Sequence, residues 1–199
     1  MKPLQLWAQP WWVNLLIAVP ALAYFAWRRN GLQLARRQLA TSAVFGIAFG
    51  FVEAAVVVYL RAAIGLLPDY AGTLADLRRA SQVSSPIYVQ AQSIAQFPQS
   101  LLTIEAFREA ATILMLLSVA MLGASRARER WALFLWTFAL WDSAYYAGLR
   151  ATVRWPASLG DLDVLFLIPV PWLAQIWFPL LVSALTLLAV MLNLARDTA

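Results

Sequence analysis

The sequence has no cysteine and no histidine. Without cysteine there is neither a disulfide framework nor a thiolate metal site. Without histidine the commonest general base near neutral pH and the commonest transition-metal ligand are both missing. A haem or zinc centre of the His/Cys type is excluded, and any chemistry falls to carboxylates, Tyr, Ser/Thr, Arg or backbone groups. Charge is scarce as well: 13% of the 199 residues are charged and 62% are hydrophobic, against roughly 25% charged in an ordinary soluble domain. No glycine-rich phosphate loop, nucleophile elbow or zinc motif is present. So little polar surface cannot cover an apolar core in water. The expected class is an all-α integral membrane helical bundle forming one transmembrane domain over residues 1–199.

The net charge of +5 does not point to nucleic acid. The arginines fall in short runs between apolar stretches, as membrane-flanking residues do, rather than along one binding face. Lys2 and the apolar run ending near Ala26 resemble a signal peptide, but Trp27-Arg28-Arg29 closes that run where small residues would precede a cleavage site. It reads as a retained helix.

A membrane span needs about 20 apolar residues, with roughly 17 as the lower limit. Five stretches meet that need: about 11–27, 39–60, 101–123, 131–149 and 172–194. Pro20 would kink the first, which a membrane bundle tolerates. Before the fifth, Pro169 and Pro171 break the apolar run, so an irregular or re-entrant segment is expected at about 162–171. Arginines set the orientation. Arg28, Arg29, Arg36 and Arg37 lie between spans one and two, Arg126, Arg128 and Arg130 between spans three and four, and Arg196 after span five. With five spans these regions share one side, the cytoplasmic side of a cell (inner) membrane, which leaves the N-terminus outside and the C-terminus inside. Lys2, Arg61, Arg78, Arg79, Arg150 and Arg154 lie on the other side. Trp11, Trp12, Trp27, Trp131, Trp155 and Trp172 sit near the expected interfaces, where an amphipathic ring is favoured. Trp136 and Trp141 read as core packing.

A long outer loop, 61–100, joins spans two and three. Ser85-Pro86 has the form of a helix start, and Ile87, Ala91, Ile94 and Ala95 recur at helical spacing through Phe97. The segment is either a helix lying on the membrane surface or a solvated linker.

The informative residues are the ionisable ones inside the spans: Glu53, Glu105, Arg108, Glu109 and Asp142. Each costs about 2.5–3.5 kcal/mol on insertion scales, and such residues usually face the bundle interior. Their depths agree. Glu53 lies eight residues before Arg61, Asp142 eight before Arg150 and Glu109 eight after Leu101, and eight helical residues rise about 12 Å. The faces agree too. Gly46, Gly50 and Glu53 share a stripe on span two, where Gly46-x3-Gly50 permits close helix approach. Glu105, Arg108, Glu109 and Thr112 share one on span three, and Asp142 shares one with Tyr145 and Tyr146. A common acidic pocket in the outer half of the membrane is the expectation. The alternative is a purely structural polar core.

Those acids against Arg108 alone leave an uncompensated negative charge in a low-dielectric layer. Either some carry a proton, or outer arginines fold in, or a cation binds. A metal would be a hard cation such as Mg²⁺, Ca²⁺ or Mn²⁺, since only oxygen ligands are available. Asp161 and Asp163, between Trp155-Pro156 and the proline-rich run to Trp172, could bring Asp163 down over the carboxylate layer; a rigid proline turn starting span five is the other reading.

Phe51-Val52-Glu53-Ala54, Arg108-Glu109-Ala110-Ala111-Thr112, Trp141-Asp142 with Tyr145-Tyr146, and the Asp163 to Trp172 run together resemble a family of uncharacterised bacterial polytopic integral membrane proteins. The resemblance touches spans two to five. It implies fold class and a membrane location, and no activity.

The expected function is an intramembrane acidic pocket, open to the outer side, that binds a cation or a polar or lipid head group. If catalytic, Glu53, Glu109 and Asp142 are the acid/base groups, with Arg108, Glu105, Tyr145, Tyr146 and Asp163 holding the substrate. A non-catalytic subunit of a larger membrane complex and a small carrier are the alternatives. Expected partners are the lipid bilayer and a membrane protein or second copy, with no nucleic acid. Reporter fusions at Gln33, Ala80, Ala127, Ala157 and Ala199 should alternate in, out, in, out, in; an outer signal at Ala127 would overturn the orientation.

Overall fold

The computed structural model describes residues 7–63 and 99–194. The expected helix from Ser85 to Phe97 lies outside the described residues, as do Lys2, Arg78, Arg79 and Arg196.

The chain is mostly helical. Trp11–Ile17 form a 3-10 helix that runs directly into α1, Ala18–Trp27. Pro20 sits in the first turn of α1, just after the change from 3-10 to α-helix within the expected first span. The 3-10 helix rises about 2.0 Å per residue and the α-helix about 1.5 Å, so the joined element reaches about 29 Å. The Asn14 side chain fixes its start. Asn14 Oδ1 accepts from the Ala8 N–H at 2.8 Å, and Nδ2 donates to the Ala8 and Trp11 carbonyls at 2.9 and 2.8 Å. At the other end Gly31 takes a φ of 64°, the left-handed conformation that ends a helix and that glycine adopts without a Cβ penalty. Its N–H donates to Trp27 O at 2.8 Å.

Three long helices follow: α2, Arg36–Ala63; α3, Gln99–Gly123; and α4, Ala127–Val153. They contain the expected spans and extend past their apolar limits. α2 over Arg36–Leu60 and α3 over Leu101–Gly123 are long and apolar enough to cross a membrane.

The expectation for residues 162–194 needs correction. The segment expected to be irregular or re-entrant, with a helix from Trp172, is instead an antiparallel hairpin followed by a shorter helix. β1, Leu162–Phe166, pairs with β2, Trp172–Gln175, in the register Asp163 opposite Ala174 and Val164 opposite Leu173, with a bulge before Phe166–Trp172. Pro169 and Pro171 fall in the connecting turn, where neither has to donate to the ladder. The fold is thus not purely α: it carries a two-stranded sheet. Residue Gln9 extends the sheet, exchanging backbone hydrogen bonds with Leu173 at 2.8 and 2.7 Å. α5 then runs Trp177–Asn193.

α2 packs most extensively against α4, α4 also against α5 and α3, and α1 against α5. One end of the bundle gathers the arginine-rich connections. Leu32 N donates to Asn193 O at 2.7 Å, Gln38 Nε2 to Gly123 O at 2.6 Å and Arg128 Nη1 to Gly31 O at 3.0 Å. Trp27, Leu32, Leu39, Leu133 and Val190 close the core there. The opposite end holds the hairpin, the loop after α4 and residues 7–10. Its core forms from Ala8, Val13, Ala174 and Phe178 beside a cluster of Ala54, Val58, Leu149 and Val153.

The α2–α4 contact depends on small residues. A Cβ on Gly46 would stand 2.8 Å from Thr137 O, and one on Gly50 would meet Trp141 O, Ala144 Cβ at 2.9 Å and Tyr145 N at 3.0 Å. Gly148 on α4 faces Ala54 in return. The backbones touch because neither helix presents a side chain there. Gly50→Leu should therefore lower stability by about 3 kcal/mol or more, the upper range for overpacking, while Val57→Leu on the same helix costs far less. Thermal melts in neutral detergent that give equal midpoints for the two would contradict the packing.

Candidate functional site

The inward-facing polar residues of α2 and α3 meet through Arg108. Its Nη1 donates to Glu53 Oε2 in a short contact, and its Nε donates to Glu105 Oε2 at 2.8 Å, one turn back on its own helix. Glu53 Oε1 accepts from Thr112 Oγ1 at 2.7 Å. Glu53 thus receives two hydrogen bonds from α3, at Arg108 and Thr112, which are four residues apart and so share a face. Glu53, Glu105 and Thr112 are buried, while the Arg108 side chain keeps 25% of its surface exposed. The Arg108 guanidinium also lies in the field of Glu109 and Tyr145.

Glu109 is buried and turns to the hairpin, where its Oε2 accepts from the Leu167 N–H at 2.7 Å. Leu167 directly follows β1 and opens the turn. Prolines at 169 and 171 keep that turn from becoming helix, and its amide needs an acceptor from outside the strand pair. Glu109 supplies it, so a carboxylate of α3 anchors the tip of the hairpin.

A second group lies between α4, α5 and β1. Asp142 Oδ2 accepts from Ser183 Oγ at 2.8 Å, and Tyr146, one turn further along α4, donates from its hydroxyl to Asp163 Oδ2 at 3.0 Å. Asp142, Tyr146, Asp163 and Ser183 are all buried. Asp142 and Asp163 lie in one another's field. Asp163 is the buried residue of β1 and accepts from Tyr146, so it is carried on a strand and not on a re-entrant loop.

Rings join the two groups. Tyr145 stacks on Trp141 at 6.2 Å and meets Tyr146 edge-on at 5.0 Å. Phe166 of β1 packs on Trp141 at 6.4 Å and on Trp172 at 5.4 Å, and Trp172 meets Trp12 at 5.1 Å. The indole N–H groups of Trp141 and Trp172 are buried without an acceptor.

Each expected residue is therefore placed. Glu53, Glu105, Arg108 and Glu109 come together around Arg108; Asp142, Tyr146 and Asp163 form the adjoining group; Tyr145 stands between. Hydrogen bonds divide Glu53, Glu109 and Asp142 among different partners, so they do not share one ligand position. Among the described residues no group of three acidic side chains is placed to hold a metal ion together.

Ser183 was missed in the sequence, though a hydroxyl in an apolar run, with Thr186 three residues on, was the available signal. The Leu167 amide could not have been found, because a backbone donor carries no sequence mark. Asp161 serves the loop after α4, accepting from the Ala157 and Ser158 amides at 2.7 and 3.2 Å and from Ser158 Oγ at 2.9 Å.

Comparison with protein-family models, with curated proteins and with solved structures found no match for this chain. The functional reading rests on the geometry.

Glu109→Ala should free the hairpin turn. Leaving a buried backbone N–H without its partner costs about 1–3 kcal/mol, so amide exchange at Leu167 should accelerate about tenfold while exchange in the α2–α4 core is unchanged. Unaltered exchange at Leu167 would show that Glu109 does not anchor the turn.

Proposed function

We propose that the chain is a multi-pass membrane protein, of the bacterial polytopic kind its motifs resemble, with five helical elements crossing a cell membrane. The reading places the arginine-rich end in the cytoplasm and the hairpin end outside. It is supported by the two apolar helices long enough to span, and by the gathering of both arginine-rich connections at one end. Large apolar side chains exposed on α3, such as Phe107 at 73% and Leu122 at 89%, fit a lipid-facing surface.

Within this frame we infer that the outer-half acidic layer binds a positively charged polar head group. The observation that carries the reading is charge. Glu53, Glu105, Glu109 and Asp142 are all buried, and among the described residues Arg108 is ion-paired with Glu53 and Glu105. Burying carboxylates is costly unless protons or a cation compensate them. An organic ammonium is the cation that an aromatic lining favours. The rings of Trp141, Tyr145 and Phe166 beside the acidic layer offer such faces. If the head group is also turned over, Glu53, Glu109 and Asp142 are the groups to move protons.

A second reading has its own support. The exposed apolar face of α3 would equally fit a partner helix, making the chain a subunit of a larger membrane assembly.

Titration of purified protein with a long-chain alkylammonium amphiphile, followed by tryptophan fluorescence, separates the two. Saturable quenching is expected, with affinity reduced about tenfold or more, or about 1.4 kcal/mol, by Asp142→Asn or Glu53→Gln. Quenching that neither variant changes would remove the acidic layer as the site. Loss of co-purifying membrane partners on Phe107→Arg, with ammonium binding absent throughout, would favour the subunit.

A further inference from the structure

A groove of about 390 Å³ opens at the hairpin end of the bundle, apart from the Arg108 cluster. Ser143, Tyr146 and Arg150 of α4 line one side, Ser158 the rim, and Ile176 and Leu180 the start of α5. Its lining carries a guanidinium and no acid.

The groove is built before any ligand arrives. Arg154 ends α4 in the left-handed conformation, with a φ of 57°. Arg150 Nη1 holds that turn by donating to Arg154 O at 2.8 Å and to Pro156 O at 2.9 Å. The Asp161 carboxylate fixes the following residues through the Ala157 and Ser158 amides. One nitrogen of Arg150 is thereby committed to the loop. Its Nε and Nη2 make no hydrogen bond among the described residues, and the side chain is exposed. Two donors on a planar fork match two oxygens of a phosphate. Arg150 lies two turns beyond Asp142, about 12 Å further out along α4, at head-group level if the acidic layer is in the outer half of the membrane. Below it the apolar walls of Ile176 and Leu180 face the depth of an acyl chain.

We propose that this groove binds a phospholipid of the outer leaflet, with Arg150 holding the head-group phosphate and Leu180 the upper part of one acyl chain. The proposal rests on the membrane-spanning reading above; the groove borders the acidic layer at Tyr146 and takes a different ligand group, at Arg150.

Native mass spectrometry of the full chain in neutral detergent tests it, with phosphatidylglycerol as probe and a diacyl glycolipid of the same chains as the phosphate-free comparison. A single saturable phosphatidylglycerol adduct is expected, at least about tenfold tighter than the glycolipid. Arg150→Gln should abolish the preference. Because Arg150 also holds the loop, Leu180→Trp is the second variant: it fills the apolar wall, leaves the loop hydrogen bonds in place and should weaken the adduct similarly. Arg29→Gln at the opposite end should leave it unchanged. Equal binding of the glycolipid, or adducts unaffected by both groove variants, would overturn the proposal. Displacement of the lipid by millimolar inorganic phosphate, with phosphate alone binding as tightly, would assign the groove to a free anion instead. A chain released from membranes by alkaline washing fails the membrane reading itself, whereas a membrane-resident chain without phosphate preference fails only this site.

Discussion

The half-buried Arg108 guanidinium, ion-paired with Glu53 and Glu105, is the constraint on which the other contacts depend. A guanidinium does not lose its charge in a protein, so wherever α3 carries Arg108 inward a carboxylate must meet it. Glu105 is supplied from the same helix and says nothing about neighbours. Glu53 comes from α2, and together with Thr112 it fixes both the depth and the rotation of α3 against α2. That matters because α2 gives its glycine face to α4 and meets α3 over a much smaller contact. Little apolar packing is left to set the register of these two helices, and the polar contact sets it.

From that register the rest follows in order. Once Arg108 faces α2, Glu109 faces the hairpin, and its carboxylate captures the turn at Leu167. Capturing the turn holds β1 against α4, which presents Asp163 to Tyr146. One turn back on the same face of α4, Asp142 accepts a hydrogen bond from Ser183 and ties α4 to α5. The acidic side chains therefore act as fasteners between elements. The same burial of carboxylates is what motivates the proposed positively charged ligand.

Much of this was legible in the sequence because it followed helical periodicity. Gly46, Gly50 and Glu53 share a stripe, and Arg108 and Thr112 lie four apart, so their faces could be derived without coordinates. Residues 162–175 were not legible in this way. Five- and four-residue strands inside a long apolar run have the composition of a buried helix, and periodicity cannot separate the two at that length. The prolines at 169 and 171 announced a break but not a hairpin. The paired depth of Glu53 and Asp142 suggested one pocket. Ser183 and the Tyr146–Asp163 contact instead draw Asp142 toward α5 and β1, and neither partner could be assigned from spacing on α4 alone.

A double-mutant cycle on Glu53 and Arg108 tests the ion pair most directly. Stability of the parent, Glu53→Gln, Arg108→Gln and the double variant would be measured in neutral detergent at low salt and at about 1 M, where the Debye length is about 3 Å. A buried pair that joins α2 to α3 predicts a coupling of about 1 kcal/mol or more that persists at high salt. Additive single effects, or a coupling that salt abolishes, would contradict it and leave the polar layer without the contact that organises it.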